Sequence, residues 1–197
     1  MKAAWAALRS GSWMTRERAT GYLVVLILAN VFGFTYAVCH AHGFFMEKEA
    51  HFSTEFMGFY AAGKLIDQGT PGLVYDPGMP AQAYVESLHM APAHDAMQRA
   101  LAGDPKLVLF ASFYPPVFWL VCAPLARLSY YVAFLLWTGA SLAFFLFALR
   151  SLVGSWKALW PVPAYLSFYA CAGVGENSFL SAGLLTFGLV KLEKRPV

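Results

Sequence analysis

Charge is scarce in this sequence. Asp, Glu, Lys and Arg make up 13% of its 197 residues, about half the share typical of a soluble domain. That scarcity excludes a water-solvated surface over the whole chain. The net charge of +3 is small and no stretch clusters Lys and Arg, so there is no footprint for nucleic acid. Cysteine is scarcer still. Cys39, Cys122 and Cys171 are odd in number, far apart and set in apolar segments, which excludes a disulfide framework and a zinc site. Because none lies in a polar loop, they do not report a redox compartment. His40, His42 and His51 provide only a His-x-His and a distant third ring, without a strong metal-ligand spacing. No metal and no cofactor are expected.

What is present is apolar: 59% of the residues are hydrophobic and 17% aromatic, a membrane composition. The charges sort into loops. Lys2, Arg9, Arg16 and Arg18 face the single acid Glu17 before an uncharged run from Ala19 to Met46. The positive-inside rule puts this N-terminus in the cytoplasm. Gly21 to Cys39 spans 19 residues, close to the roughly 20 needed to cross a bilayer. It is longer than the apolar region of a signal peptide and no small-x-small cleavage site follows, so a retained first crossing over residues 21–40 is expected.

From Ala41 to Lys106 the chain turns polar, with eight acids against four bases, as befits an extracytoplasmic loop after one crossing. Within it Phe52 to Gln68 reads as a helix, capped by Ser53 or Thr54 and stopped by Gly69-Thr70-Pro71. Pro80 to Ala102 reads as a second amphipathic helix, interrupted near Pro92. Both are expected to lie along the outer leaflet.

Leu107 to Ala126 is uncharged for 20 residues and Leu128 to Leu149 for 22, with only Arg127 between them. They read as crossings over 107–127 and 129–150, a helical hairpin turning at the inner face, with a kink or a delayed start at Tyr114-Pro115-Pro116. Ala158 to Gly175 is uncharged for 18 residues and Asn177 to Val190 for 14. The latter would reach only about 21 Å as a helix, short of a full crossing. Strict alternation of crossings puts Lys191, Lys194 and Arg195 outside, against the positive-inside rule. A re-entrant segment in 158–175 resolves the conflict and puts the Gly175-Glu176-Asn177 corner on the same side as Glu55. The last segment is then 177–191. The fold class is thus all-α, with four or five transmembrane segments and amphipathic helices in a large first outer loop. The chain stops directly after an apolar helix, so it reads as the N-terminal part of a longer protein.

Several polar residues stand out against this background. Glu55 sits at an apolar interface able to raise its proton affinity, which suits a general base; the plain alternative is one solvated loop acid among eight. Lys64 offers a point charge for a phosphate or snorkels to lipid headgroups. Nine residues from Glu55, it falls on the opposite face of a continuous helix. Glu55, Gly58 and Ala62 share a face that a neighbouring helix or lipid chain can approach closely. Tyr114 either lines a site or marks a kink. Glu176 and Asn177 occupy an expensive position for polar groups, which makes them functional candidates or members of a tight turn at the membrane surface.

Three ordered stretches carry a resemblance. They are Glu55-Phe56 through Tyr60-Ala61-Ala62-Gly63-Lys64 with Val74-Tyr75-Asp76-Pro77; Phe113-Tyr114-Pro115-Pro116 with Ala123-Pro124-Leu125; and Gly175-Glu176-Asn177 with the helix after it. Together they resemble the polyprenol-phosphate-dependent mannosyl and arabinosyl transferases of glycosyltransferase family 87, which have the type C membrane fold. The chain has Glu55-Phe56 where that family usually has Asp-Phe, and Gly175-Glu176-Asn177 where it has Gly-Gln-Asn. The resemblance implies an integral membrane enzyme at a bacterial inner membrane. It implies inverting transfer of mannose or a related sugar from a polyprenyl-phosphate donor to a glycan or glycolipid acceptor on the extracytoplasmic face. It implies Glu55 as the base, with Tyr60, Lys64, Tyr114, Glu176 and Asn177 as donor or sugar contacts. The rival class is a non-enzymatic membrane protein, a transporter piece or a structural subunit. No inverted repeat favours the transporter, and a structural subunit has no need of so large an acidic outer loop.

Overall fold

The computed structural model describes residues 9–11, 13–40, 53–76, 92–102 and 114–194. His42, His51, the expected helix before Pro92, the expected start of a crossing at Leu107, Phe113 and Arg195 lie outside these residues. The described residues form helices and turns and no strand; the fold is all-α.

Helix α1, Arg16–Cys39, has 24 residues and a length of about 36 Å. Thr15 opens it, its Oγ1 accepting the Arg18 N–H at 3.2 Å. None of its residues is buried: Val25, Leu28 and Phe32 are 63%, 63% and 73% exposed. An apolar surface that extensive is unstable in water and belongs in lipid. Among the described residues, α1 and a second 24-residue helix are long and apolar enough to cross a membrane.

Helix α2, Thr54–Asp67, carries Glu55 and is far more enclosed. Phe56, Met57, Phe59, Tyr60, Ala61, Ala62 and Leu65 are all buried. Its start differs from the expected cap. Ser53 occupies the capping position but at φ +60°, with no hydrogen bond from its side chain to the helix. Its Oγ instead accepts the Tyr130 hydroxyl at 2.7 Å, and its N–H donates to the Gly173 carbonyl at 2.7 Å. The far end is closed by Thr70, whose N–H and hydroxyl both donate to the Leu65 carbonyl, at 2.9 and 3.0 Å. The short helix α3, Pro92–Ala102, packs on α2.

The segment expected to cross after Leu107 is described only from Tyr114. From Pro116 it makes one 3-10 turn and then helix α4, Trp119–Ala126, together about 18 Å long at 2.0 and 1.5 Å per residue. Helix α4 lies against α2. A Cβ at Gly63 would sit 2.3 Å from the Cys122 carbonyl oxygen and 2.6 Å from the Ala126 Cβ. At the ends of the pair, Arg127 Nε donates to Asp67 Oδ1 at 2.9 Å, and the Tyr60 hydroxyl donates to the Leu128 carbonyl at 2.7 Å. The Arg127 turn and the loop helix α2 are therefore neighbours and cannot lie on opposite faces of a bilayer. Where an inner-face hairpin was expected, the described residues show α4 held to α2 by the backbone contact at Gly63 and the polar ties beyond it.

Helix α5, Tyr130–Val153, has 24 residues. It starts beside α2, where Tyr130 meets Ser53, and ends at Gly154. The chain returns through 3-10 turns at Trp156–Leu159 and Val162–Ala164 and then helix α6, Leu166–Val174. At nine residues α6 is about 13 Å long. It runs alongside α1 in the same direction. Asn30 Nδ2 donates to the Ala164 carbonyl at 2.8 Å, and further along Phe34 meets Tyr169 with ring centroids 5.6 Å apart. This brings Gly175 level with the Cys39 end of α1. Helix α7, Ser178–Lys194, then descends beside α5 in the same sense, from the Trp137–Gly175 contact to the Phe145–Phe179 contact at 5.7 Å. Helices α5 and α7 both point their C-terminal ends, with Arg150 and Lys191, away from α2.

Candidate functional site

The site lies where the first turn of α2 meets the corner between α6 and α7. Gly175 forms that corner at φ +70°, and a Cβ there would meet the Phe56 Cβ at 2.6 Å and the Phe134 ring at 2.8 Å. No side chain fits, and the corner therefore sits directly on the residue after Glu55. Three hydrogen bonds hold it. Trp137 Nε1 donates to the Gly175 carbonyl at 2.8 Å, the Gly175 N–H donates to the Cys171 carbonyl at 3.0 Å, and the Ser53 N–H donates to the Gly173 carbonyl at 2.7 Å. Trp137 is 6% exposed, so its N–H has no water to turn to, and the bond to Gly175 fixes the corner's height on α5.

Glu55 and Glu176 flank this contact, one residue to either side of it. Both are half-buried. Burial pushes the Glu55 carboxyl above the usual carboxylate range, and the Glu176 charge adds to the rise. Both causes disfavour a second negative charge. Glu176 Oε2 accepts the Cys171 thiol at 3.5 Å. Asn177 opens α7, its carbonyl accepting the Ser181 N–H at 3.0 Å.

Tyr114 completes the cluster. It lies within electrostatic reach of both carboxylates, its ring stacks on Phe118 at 4.9 Å and meets Phe59 edge-on at 4.8 Å. Its carbonyl accepts the Tyr75 hydroxyl. The extended Pro115 at φ −65°, ψ 156° keeps Tyr114 out of the helix that follows, as expected for a residue preceding proline. Glu55, Tyr114 and Glu176 thus come together from three segments separated by 59 and 62 positions.

Tyr60 and Lys64 are placed elsewhere. Helix α2 is unbroken from Thr54 to Asp67, so Lys64 stands about 13 Å along the axis from Glu55 and half a revolution around it. Its Nζ lies 5.3 Å from the centroid of the Tyr60 ring. Tyr60 is 4% exposed and its hydroxyl is engaged at Leu128; it is a packing residue at the α2–α4 seam. A neighbouring helix approaches closely at Gly63. Tyr130 and Trp137 set the site's shape and were not singled out in the sequence, where Ser53 was read only as a helix cap. A tyrosine and a tryptophan inside a long apolar run carry no local signal of a distant partner.

Below the corner, an open apolar groove of about 360 Å³ runs between α5, α6 and α7. Phe145, Leu149 and Phe168 line it, and Cys171 and Ser178 stand at its upper end beside Glu176.

Residues 113–197 match the model of glycosyltransferase family 87. The matched part contains Tyr114, Glu176 and Asn177, and Glu55, Tyr60 and Lys64 precede it. No curated protein and no solved structure matches the chain.

Proposed function

We propose that this protein is an integral membrane glycosyltransferase that transfers mannose or a related sugar from a polyprenyl-phosphate donor to an extracytoplasmic glycan or glycolipid acceptor. The family match over residues 113–197 supports glycosyl transfer. The observation that carries the reading is the half-buried Glu55, its proton affinity raised, facing the matched Gly175-Glu176 corner. A carboxylate so placed accepts a proton more readily than an exposed one.

In the reaction, Glu55 takes the proton from an acceptor hydroxyl as that oxygen attacks the anomeric carbon. The bond from that carbon to the donor phosphate oxygen breaks, the polyprenyl phosphate leaves with the electron pair, and the configuration inverts. Tyr114, Glu176 and Asn177 serve as sugar or donor contacts. Lys64, remote from Glu55, serves at most the outlying phosphate or the headgroup layer. The apolar groove under the corner suits the isoprenoid chain. The basic residues support the side: Arg16, Arg18, Arg150, Lys157 and Lys191 all fall toward the end away from the site, and the positive-inside rule makes that end cytoplasmic. The bacterial inner membrane is the compartment that fits a lipid-linked donor used on the outer face.

Sugar transfer in membranes containing the full-length protein, from a labelled polyprenyl-phosphate mannose, tests this. Glu55→Gln should lower turnover by on the order of 100-fold to 10,000-fold, the range for a general base. Turnover unchanged in both Glu55→Gln and Glu55→Ala overturns the assignment of the base.

A further inference from the structure

Glu176 stands in a position that a sugar contact alone does not explain. The corner that carries it is seated on Phe56, so closely that no Cβ fits at Gly175, and it is locked by Trp137 and by Ser53. The residue before Phe56 is Glu55 and the residue after Gly175 is Glu176. Two carboxylates are thereby held at one contact by backbone ties that neither can relax. Tyr114, which feels both charges, stands over the same space.

We propose that Glu176 is a positioning residue for the transfer reaction: its fixed negative charge keeps Glu55 a strong enough base to take the acceptor proton. This rests on the reading of Glu55 as the base. Among the described residues around α2, several other titratable groups have partners of their own. Asp67 pairs with Arg127 at 2.9 Å, Lys64 lies against the Tyr60 ring, and the Tyr130 hydroxyl donates to Ser53. Cys171 donates its thiol proton to Glu176 itself. Tyr75 donates its hydroxyl to the Tyr114 carbonyl. Burial raises the Glu55 carboxyl most and Glu176 second, so removing the Glu176 charge leaves part of the rise in place.

The sign of the effect follows. A base works only when deprotonated, so activity is lost as pH falls through its pKa, and a neighbouring negative charge moves that loss to higher pH. The test is the pH profile of kcat/KM for transfer from polyprenyl-phosphate mannose, in membranes with the full-length protein, for wild type, Glu176→Gln and Glu176→Asp. Glu176→Gln should move the acid limb to lower pH and reduce the plateau through a weaker base. Glu176→Asp, which keeps the charge, should restore most of the wild-type profile. A Glu176→Gln profile superimposable on wild type, with Glu55→Gln inactive, overturns the role of Glu176 and leaves the base standing. An unshifted limb with a lower plateau in both Glu176 variants assigns Glu176 to sugar contact alone and overturns the proposal equally. Activity intact in Glu55→Gln overturns the underlying reading instead.

Discussion

Helices α1 and α2 are both rich in apolar and aromatic residues, yet one has no buried residue and the other hardly an exposed one before Asp67. α1 presents large side chains on every face and meets the rest of the protein at Asn30, which donates to Ala164, and at Phe34, which meets the Tyr169 ring. α2 is gripped by backbone contact at Gly63, ring contacts from Phe56 and Phe59, and polar ties at both ends. The difference teaches that hydrophobicity alone assigns no partner. In α1 the partner is lipid, as apolar as the side chains, so nothing beyond length is specified. In α2 the partner is protein, and packing there depends on the shape of each residue.

The largest expected effect on this contrast is functional. Glu55→Gln removes the proposed base from α2 and should lower turnover by on the order of 100-fold to 10,000-fold, while a polar-to-polar change such as Thr35→Ser in α1 should leave turnover within a factor of about two. Transfer assays on membranes separate the two. The next effect is on stability. Gly63→Ala drives a Cβ into the Cys122 carbonyl and should destabilise the protein by about 1–3 kcal/mol, the range for an overpacked site. Gly33→Ala in α1 meets nothing within 4 Å and should be neutral or slightly stabilising. Thermal melting in detergent measures both, and equal shifts would erase the distinction between the two helices.

Smaller effects probe the ties themselves. Asn30→Leu removes the bond from α1 to Ala164 and leaves that carbonyl to other donors. Polar bonds between membrane helices average about 0.6 kcal/mol, and a melting shift of that order is expected, with protein still inserted. The smallest effect belongs to the Asp67–Arg127 pair. With the two side chains 40% and 70% exposed, Asp67→Asn should cost about 0–1 kcal/mol, falling further as salt is added. A large, salt-insensitive loss would mean that this end of α2 is enclosed by further structure.

The sequence made several elements legible through composition and punctuation. The all-α class, the crossing at α1 and the stop of α2 before Thr70 follow from runs of apolar residues and from Gly-Thr-Pro, which act locally. The Glu55 and Glu176 candidates were legible as charges in costly places, and their meeting was inferred from chain order. For 107–127, uncharged length is the same signal whether a segment crosses lipid or lies against another helix. What separates the two is Gly63, more than 50 positions upstream, whose missing side chain lets α4 settle on α2. The Gly175-Glu176 corner was expected on the side of Glu55, and it sits directly on Phe56. The expected cap at Ser53 failed for a related reason: its hydroxyl has a tighter partner in Tyr130, a residue that no local pattern connects to it.

By itself the sequence determined that the chain is helical, belongs with a membrane, and carries isolated carboxylates at Glu55 and Glu176. These properties depend on solvent preference and local backbone geometry, which neighbouring residues set. Only the tertiary structure decided that α4 stays beside α2, that α5 and α7 run in the same direction, and that the two carboxylates share one contact. Each of those depends on how closely backbones can approach at Gly63 and Gly175, and close packing between distant segments has no signature in either segment alone.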